Sequence, residues 1–311
     1  MDRSTLQQGA IFLTIFLVLA FLTILVPFIG MFTLFLLPIP FVFFTYKFGL
    51  KPAIYLALFS FFISFLLMGP FAIPLTVSFV IGGVVIGEMY RRKKHAFAVL
   101  LGGSLSFIGA LLVNFVGSIL VLDIHPIEEL QSLLKESVEL SEEILGAAVA
   151  LQDAGAVETA YEFIDQLVYI TPTLLIILGV GYAFIVQWLA SLFLRRKKYE
   201  IELFPPLRTW TFPKAFIWYY LITYIFIIIG VEEGTAVYTV IANLTPILEI
   251  VMIIQGFAFM FFFFHYKKMH VIIPIVLMIF AFVVPILLHI VRILGIIDLG
   301  FDLRKRLNSK K

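Results

Sequence analysis

A few ionisable side chains lie inside long apolar runs of this sequence, and any chemistry must come from them. Glu249 lies well inside one run, with Asn243 and Gln255 nearby, and His289 and Arg292 lie toward the end of the next. A charged side chain in hydrocarbon costs about 3 kcal/mol, so it needs a partner or a function. If the two runs are antiparallel neighbours, Glu249 meets His289 or Arg292. This intramembrane charge pair is then either structural or a carrier of protons or ions.

A second set of small and polar residues shares one helical face. Gly103, Ser106, Ala110, Asn114 and Gly117 are spaced three or four residues apart, which places them on one side of a helix. Such a stripe lets another helix approach closely, and Asn114 then hydrogen-bonds across the contact. Alternatively, Asn114 and Ser106 line a ligand pocket, and both interpretations stay open.

Two further pairs of residues have the same two interpretations. Gly83 and Gly87 are four residues apart, which is typical of closely packed membrane helices. In the apolar run 167–194, the polar Gln187 and the aromatic Trp188 are candidates for ligand binding, although Trp188 could also serve only as a bulky packing residue.

The composition determines the class of fold that holds these residues. Hydrophobic residues make up 62% of the 311-residue chain and the mean hydropathy is +1.10, far above the values of soluble proteins. Lipid cannot hydrogen-bond free backbone groups, and the alternating pattern of a membrane barrel is absent, so the apolar runs must be helices. The sequence predicts an all-α integral membrane protein.

Runs of about 20 apolar residues are long enough to cross a bilayer. They predict nine transmembrane helices, with eight as the alternative: 9–28, 31–46, 52–69, 71–90, 96–122, 167–194, 213–231, 238–265 and 270–294. The predicted organisation is helices one to five in 1–122, an acidic loop in 123–166, helix six in 167–194, a loop in 195–212, helices seven to nine in 213–294 and an amphipathic basic tail in 295–311.

The basic residues predict the orientation, because Lys and Arg collect on the cytoplasmic side. A cytoplasmic N-terminus places four basic loops inside: Lys47 and Lys51, Arg91 to Lys94, Arg195 to Lys198, and Lys267 with Lys268. The tail, which carries Arg304, Lys305 and Arg306, is then outside if the ninth run crosses and inside if it re-enters. We adopt the crossing interpretation.

The segment 123–166 is the one sizeable part outside the predicted spans. It carries eleven Asp or Glu residues and the single Lys135, and its apolar residues recur at near-helical spacing. The pattern predicts an extracytoplasmic amphipathic helical insertion. It is either a solvated cap on the bundle or a lid over a ligand site.

Several classes of function are excluded or unsupported. There is no cysteine, P-loop, paired-histidine zinc motif or Gly-x-Ser-x-Gly elbow. The basic clusters are short and flank predicted spans, where they orient the protein and do not indicate nucleic-acid binding. We therefore expect no enzymatic activity, no cofactor, no metal and no nucleic-acid partner.

Two resemblances follow from particular stretches. Residues 37–94, reading LPIPFVFFTYKFGLKPAIYLALFSFFISFLLMGPFAIPLTVSFVIGGVVIGEMYRRKK, resemble the S components of energy-coupling-factor vitamin transporters. The whole chain, with FPPLRTW at 204–210 and IIDLGFDLRKR at 296–306, is similar to the YybS-like family of uncharacterised bacterial membrane proteins. The second resemblance implies location in the bacterial cell membrane. The first implies that the first six spans bind a small molecule and that separate energy-coupling subunits drive its uptake.

Two functions remain open. The leading interpretation is a membrane transport protein, or its substrate-binding subunit, for a small organic molecule. The alternative is a non-transporting scaffold or regulator that recruits a partner protein through its basic loops and residues 195–214. Besides the lipid bilayer, the expected partners are therefore a small-molecule ligand, an energy-coupling subunit or another protein.

Overall fold

The computed structural model describes residues 2–145 and 154–308, and these residues form helices joined by short connections. The prediction of an all-helical fold is confirmed for the described residues, which contain no strand. The chain divides into two compact units. The first comprises Met1–Leu167 and Leu174–Phe204, and the second comprises Val168–Thr173 and Pro205–Lys311.

The described residues of the first unit form eight helices, and residues 168–173 of the eighth belong to the second unit. These helices are α1 (Arg3–Leu25), α2 (Pro27–Leu34), α3 (Ile39–Phe48), α4 (Leu50–Met68), α5 (Ala72–Arg91), α6 (Ala96–Leu122), α7 (Pro126–Leu145) and α8 (Ala154–Arg196). Proline starts or precedes several of them because it lacks the N–H that a helix interior needs. Gly49 separates α3 from α4 at φ +85°, a left-handed conformation that favours glycine.

The core of the first unit is built on close approaches to α5. A Cβ on Gly83 would lie 2.5 Å from the Pro38 carbonyl oxygen, and one on Gly87 would lie 2.6 Å from that of Val42. Both glycines therefore let α3 touch the α5 backbone, in agreement with the small-residue pattern. Buried aromatic and aliphatic side chains fill the space on either side: Phe16, Phe41, Phe44, Ile86, Tyr90, Val186 and Leu194.

The small-residue stripe on α6 is used only in part. A Cβ on Gly103 would lie 3.0 Å from the Ile86 side chain, and Ala110 is buried, so both pack against neighbours. Gly117, which the stripe also assigns to packing, has no described atom within 4 Å of the position of its Cβ.

The acidic segment begins with α7, whose side chains are largely exposed. Gln131 donates to the Ile164 carbonyl at 2.8 Å and Lys135 pairs with Asp165 at 2.8 Å, so α7 packs along the first part of α8. Because α8 continues without a break to Arg196, the boundary predicted at residue 166 falls inside this helix. Leu151, counted among the apolar positions of the segment, lies outside the described residues.

The predicted count of nine transmembrane helices is not confirmed. The described residues contain seven segments long and apolar enough to span a membrane: α1, Pro27–Phe48, α4, α5, α6, Val157–Arg196 and Ala236–Tyr266. An eighth is counted if the bent pair Ile272–Val283 and Pro285–Phe301 forms one span. The run predicted as the seventh span forms a helix of only 15 residues, Ala215–Ile229.

The second unit contains five helices: α9 (Ala215–Ile229), α10 (Ala236–Tyr266), α11 (Ile272–Val283), α12 (Pro285–Phe301) and α13 (Leu303–Asn308). The run predicted as the ninth span is broken at Val284, which has an extended conformation, and α12 is bent 119° from α11. Pro285 explains the break, since its ring excludes a continuous helix through this position. At 12 residues α11 is about 18 Å long, too short for a hydrocarbon core of about 30 Å.

Helix α12 packs against α10, with two pairs of polar side chains at the contact. Glu249 contacts Arg292 and, six residues later on both helices, Gln255 contacts Asp298. Near the end of α10, the Tyr266 hydroxyl donates to the Leu307 carbonyl at 3.1 Å. The tail therefore lies beside Lys267 and Lys268, at what we call the basic end of the second unit. The bent pair α11 and α12 fits a broken span as well as a re-entrant hairpin, so the crossing interpretation stays a prediction.

Two glycines allow α10 and α12 to approach each other closely. A Cβ on Gly256 would overlap the Val291 carbonyl oxygen, and one on Gly295 would overlap that of Met252. The backbones of α10 and α12 therefore touch, and any side chain at either position would push them apart.

Candidate functional site

The polar residues predicted in the last two runs meet in the second unit, in what we call the central cluster: Tyr224, Glu249, His289 and Arg292. Glu249 forms an ion pair with the Arg292 guanidinium and accepts a hydrogen bond from the Tyr224 hydroxyl at 2.5 Å. Arg292 also donates to the Tyr224 oxygen at 3.2 Å. Helices α9, α10 and α12 each contribute to the cluster.

His289 completes the central cluster from the helical turn before Arg292. Its Nδ1 lies 3.0 Å from Arg292 Nη2. Because a guanidinium can only donate, Nδ1 accepts this bond and the ring proton is on Nε2.

The central cluster lies deep along the helix axis. Glu249 is about 20 Å from the start of α10 and about 26 Å from its end. The side chains of Arg292 and Glu249 are 19% and 31% exposed within the protein. Ions at this depth are costly unless paired, and here each charge has its counter-charge and a hydrogen bond from or to Tyr224.

A second polar group, the lower cluster, lies nearer the basic end and consists of Gln255, Asp298 and Arg304. Asp298 is 3% exposed and Gln255 is 1% exposed. Asp298 Oδ2 accepts from Gln255 Nε2 at 2.6 Å and from Arg304 Nε at 2.9 Å. The buried carboxylate is thus compensated by one charge and one amide.

Arg304 of the lower cluster also holds the loop before α9. Its Nη1 donates to the carbonyl oxygens of Arg208 and Trp210 at 3.0 and 2.9 Å. The Phe212 backbone N–H donates to Gln255 Oε1 at 3.0 Å, which ties the same loop to α10. Arg304 therefore compensates the charge of Asp298 and also joins the tail to α12 and to the loop.

The end of α12 is closed by an exposed ion pair. Lys214 Nζ lies 2.5 Å from Asp302 Oδ2. The hydrogen bond from Lys214 holds the pKa of Asp302 below its ordinary value. This pair lies outside the hairpin helices and anchors the tail next to the start of α9.

The two clusters are arranged as successive levels on one helical interface. They are six residues apart on both α10 and α12, which is about 9 Å along the axis. Gly256 and Gly295 bring the backbones of α10 and α12 into contact next to these two clusters. The result is a row of ionisable groups that leads from the middle of the hairpin to the basic end.

Sequence reasoning missed the lower cluster because Asp298 and Arg304 were assigned to the tail. A signal was present: Asp298 follows Arg292 at the same interval that separates Gln255 from Glu249. Asn243, noted near Glu249, is used elsewhere in this unit. It donates to the Tyr169 carbonyl at 2.7 Å and its own carbonyl accepts from Thr173 at 2.6 Å.

The residues predicted to bind a ligand lie in the first unit and are not brought together. Asn114 donates to the Pro74 carbonyl at 3.1 Å and to Ser78 Oγ at 2.6 Å, which joins α6 to α5. Ser106 donates to the Gly103 carbonyl within its own helix at 2.7 Å. Both hydroxyl and amide are therefore used in structural contacts.

Gln187 and Trp188 are equally separate from Asn114. Gln187 donates to the Ala96 carbonyl at 2.8 Å, and Ala96 is about 27 Å from Asn114 along α6. Trp188 is 51% exposed and points away from the core. In the described part of the chain, these side chains do not converge on one pocket, and no three His, Asp or Glu side chains are placed to hold a metal ion.

The fold and the buried ion pairs define the class of protein: a multi-pass α-helical membrane protein with a polar network in its last helices. The family model described as "Predicted membrane protein (DUF2232)" matches residues 14–299, and the chain belongs to this family. It is 30% identical over 307 residues to the uncharacterized protein YybS of Bacillus subtilis (strain 168), with 97% of each chain covered. No solved structure matches.

These matches confirm the predicted YybS-like family and its membrane location. They name no substrate and no reaction. The resemblance of residues 37–94 to S components stays a prediction, as do the cytoplasmic side of the N-terminus and the absence of enzymatic activity.

Proposed function

We propose that the chain is a membrane transport protein for a small organic molecule, and that the central cluster is its charge-bearing site. The observation that supports this most is the Glu249–Arg292 pair, held midway along α10 by the bent hairpin of α11 and α12. A structural bundle gains nothing from ions at this depth that apolar packing would not supply at lower cost.

The hairpin adds a second argument. Broken helices expose backbone groups in the middle of a membrane, and such backbone is tolerated where it lines a cavity or is buried in protein. Helix α12 begins at Pro285 in this interior, and His289 and Arg292 follow within its first turns. Transporters use helix starts of this kind to face polar substrates and coupling ions.

The source of energy follows from what the sequence lacks. Without a P-loop, the chain does not bind ATP in the Walker manner. Either an ion gradient acts through Glu249, or a separate coupling subunit drives a substrate-binding chain. We favour the first option because Glu249 lies near the middle of an apolar helix that is long enough to span a bilayer.

A non-transporting scaffold is supported less well. Its partner-binding strip was expected in residues 195–214, around the Pro205 and Pro206 pair. The Pro205 carbonyl accepts from Trp210 Nε1 at 2.9 Å, and the following residues are bonded to Gln255 and Arg304. Much of the strip is therefore already used inside the second unit.

Native mass spectrometry of the full chain, purified from its own host in mild detergent, tests the proposal. We expect a small organic molecule to be retained by the protein and to be lost in Glu249→Gln and Arg292→Gln. The control is Glu233→Gln, an exposed residue in the loop between α9 and α10. Uptake of the identified molecule into proteoliposomes should follow the same order.

The outcomes separate the candidate functions. A protein partner retained without any small molecule would favour the scaffold. If both central-cluster variants still bind and transport the retained molecule, the central cluster is not the charge-bearing site.

A further inference from the structure

A narrow apolar groove runs along the first unit between α4 and α5. Its volume is about 340 Å³, and α4 contributes Ile54, Ala57, Leu58 and Phe61, while α5 contributes residues from 76 to 85. The floor is buried, as shown by Val80 and Val84, whereas Leu58 and Ile81 form exposed walls. The groove is thus a furrow that opens on the lipid-facing side.

The length of the groove matches one leaflet. Its α5 lining runs from Thr76 to Val85, which is about 14 Å along the helix axis. The hydrocarbon core of a bilayer is about 30 Å thick, so one leaflet supplies about 15 Å.

Positive charge lies at one end of the groove. Lys51 is in the first turn of α4, one turn from Ile54, and it has no ion pair or hydrogen bond with the described residues. The Arg91 guanidinium lies against Gly49, since a Cβ there would be 2.9 Å from its Cζ. Both cations therefore lie at the start of α4.

The nearby carboxylate only partly compensates the positive charge. Glu88 pairs with Arg92 at 2.7 Å and with Arg91 at 3.5 Å, so one negative charge is shared by two arginines and Lys51 adds a third cation. Arg91 keeps about half of its side chain exposed. Two cations at the end of an apolar furrow one leaflet long complement a molecule with an anionic head and an acyl tail.

We infer that the α4–α5 groove binds an anionic phospholipid, with one acyl chain in the furrow and the phosphate at Lys51 and Arg91. This site is separate from the central cluster and does not depend on the proposed transport function. Lipid held there would remain bound when the protein is extracted into neutral detergent, because the groove supplies contacts that the bulk bilayer does not.

The test is native mass spectrometry of the full chain titrated with dioleoyl phosphatidylglycerol or with dioleoyl phosphatidylcholine. The acyl chains are identical, so the comparison isolates the headgroup. Each basic residue near an anionic lipid contributes about fivefold in affinity. We expect the anionic lipid to bind at lower concentration, and Lys51→Gln and Arg91→Gln each to reduce its affinity about fivefold. The control is Lys94→Gln, which removes an exposed charge in the loop after α5.

A second pair of variants tests the acyl position. Ile81→Trp fills the furrow and should reduce binding of both lipids, whereas Leu101→Trp, on an exposed face of α6, should reduce neither. If Ile81→Trp does not fold, Leu58→Trp replaces it. Equal affinity for the two headgroups, unchanged binding in the groove variants, or a second copy of the chain in place of lipid would each overturn the inference.

Discussion

Removing either partner of the Glu249–Arg292 ion pair should destabilise the second unit by an amount between the costs known for exposed and for fully buried ion pairs. Removing one partner of a fully buried ion pair costs about 3–5 kcal/mol, and exposed pairs contribute about 0–1 kcal/mol. These side chains are 31% and 19% exposed, and Tyr224 hydrogen-bonds to both, so Glu249→Gln should cost about 2–3 kcal/mol. Arg292→Gln should cost a similar amount, because the carboxylate is then left without its counter-charge.

A double-mutant cycle measures whether these costs arise from the pair itself. Reversible unfolding of the four proteins in mixed micelles should give a double variant that is less destabilised than the sum of the single variants, with a coupling of at least about 1 kcal/mol. The matched control is Lys93 and Glu200, an ion pair at 2.8 Å with both side chains largely exposed, which should show no measurable coupling. Costs that add within about 0.5 kcal/mol at the central cluster would refute the reasoning, since the charges would then not depend on each other.

Three further predictions concern the hairpin and the tail. Gly295→Leu should separate α10 from α12 and lower the stability measured by thermal unfolding by about 1–3 kcal/mol. The control is Gly181→Ala, which should not lower stability because no described atom lies near its Cβ position. Equal effects of the two substitutions would contradict the close backbone contact. Arg304→Gln should release the loop before α9 and raise its rate of cleavage by protease, and an unchanged rate would show that the two carbonyl contacts do not hold the loop. The pKa of Asp302 is lowered by Lys214, so this pair stabilises the folded chain above the ordinary Asp pKa and loses its effect as pH falls through the lowered value. Lys214→Gln should therefore differ from the parent in its unfolding midpoint at neutral pH and converge with it in acid, and a difference that persists in acid would contradict the assignment.

The partners within the central cluster could be anticipated, but their geometry could not. Ions in apolar runs need counter-ions, so Glu249 and Arg292 were natural partners once both were placed in the membrane. Their direction of approach depended on whether the last run crosses. Pro285 was the visible signal for a break, yet proline is also found in continuous membrane helices, where neighbours satisfy the freed backbone groups.

The ligand residues show the opposite case. Asn114, Ser106 and Gln187 have side chains that suit a binding pocket equally well as a helix contact. Each hydroxyl or amide donates a hydrogen bond to a backbone carbonyl or to a neighbouring Ser. Residue type limits what a side chain is able to bind, and only the position of neighbouring helices determines which partner it has.

The sequence by itself determined that this is a helical membrane protein, because lipid leaves long apolar segments no other way to satisfy their backbone groups. It also determined which residues could carry charge within the membrane. The tertiary structure decided that the last run bends sharply at Val284, that Glu249 meets Arg292 across α10 and α12, and that Asp298 and Arg304 form a second cluster with Gln255. These features depend on contacts between residues far apart in sequence, such as Gly295 against Met252, and no local pattern specifies them.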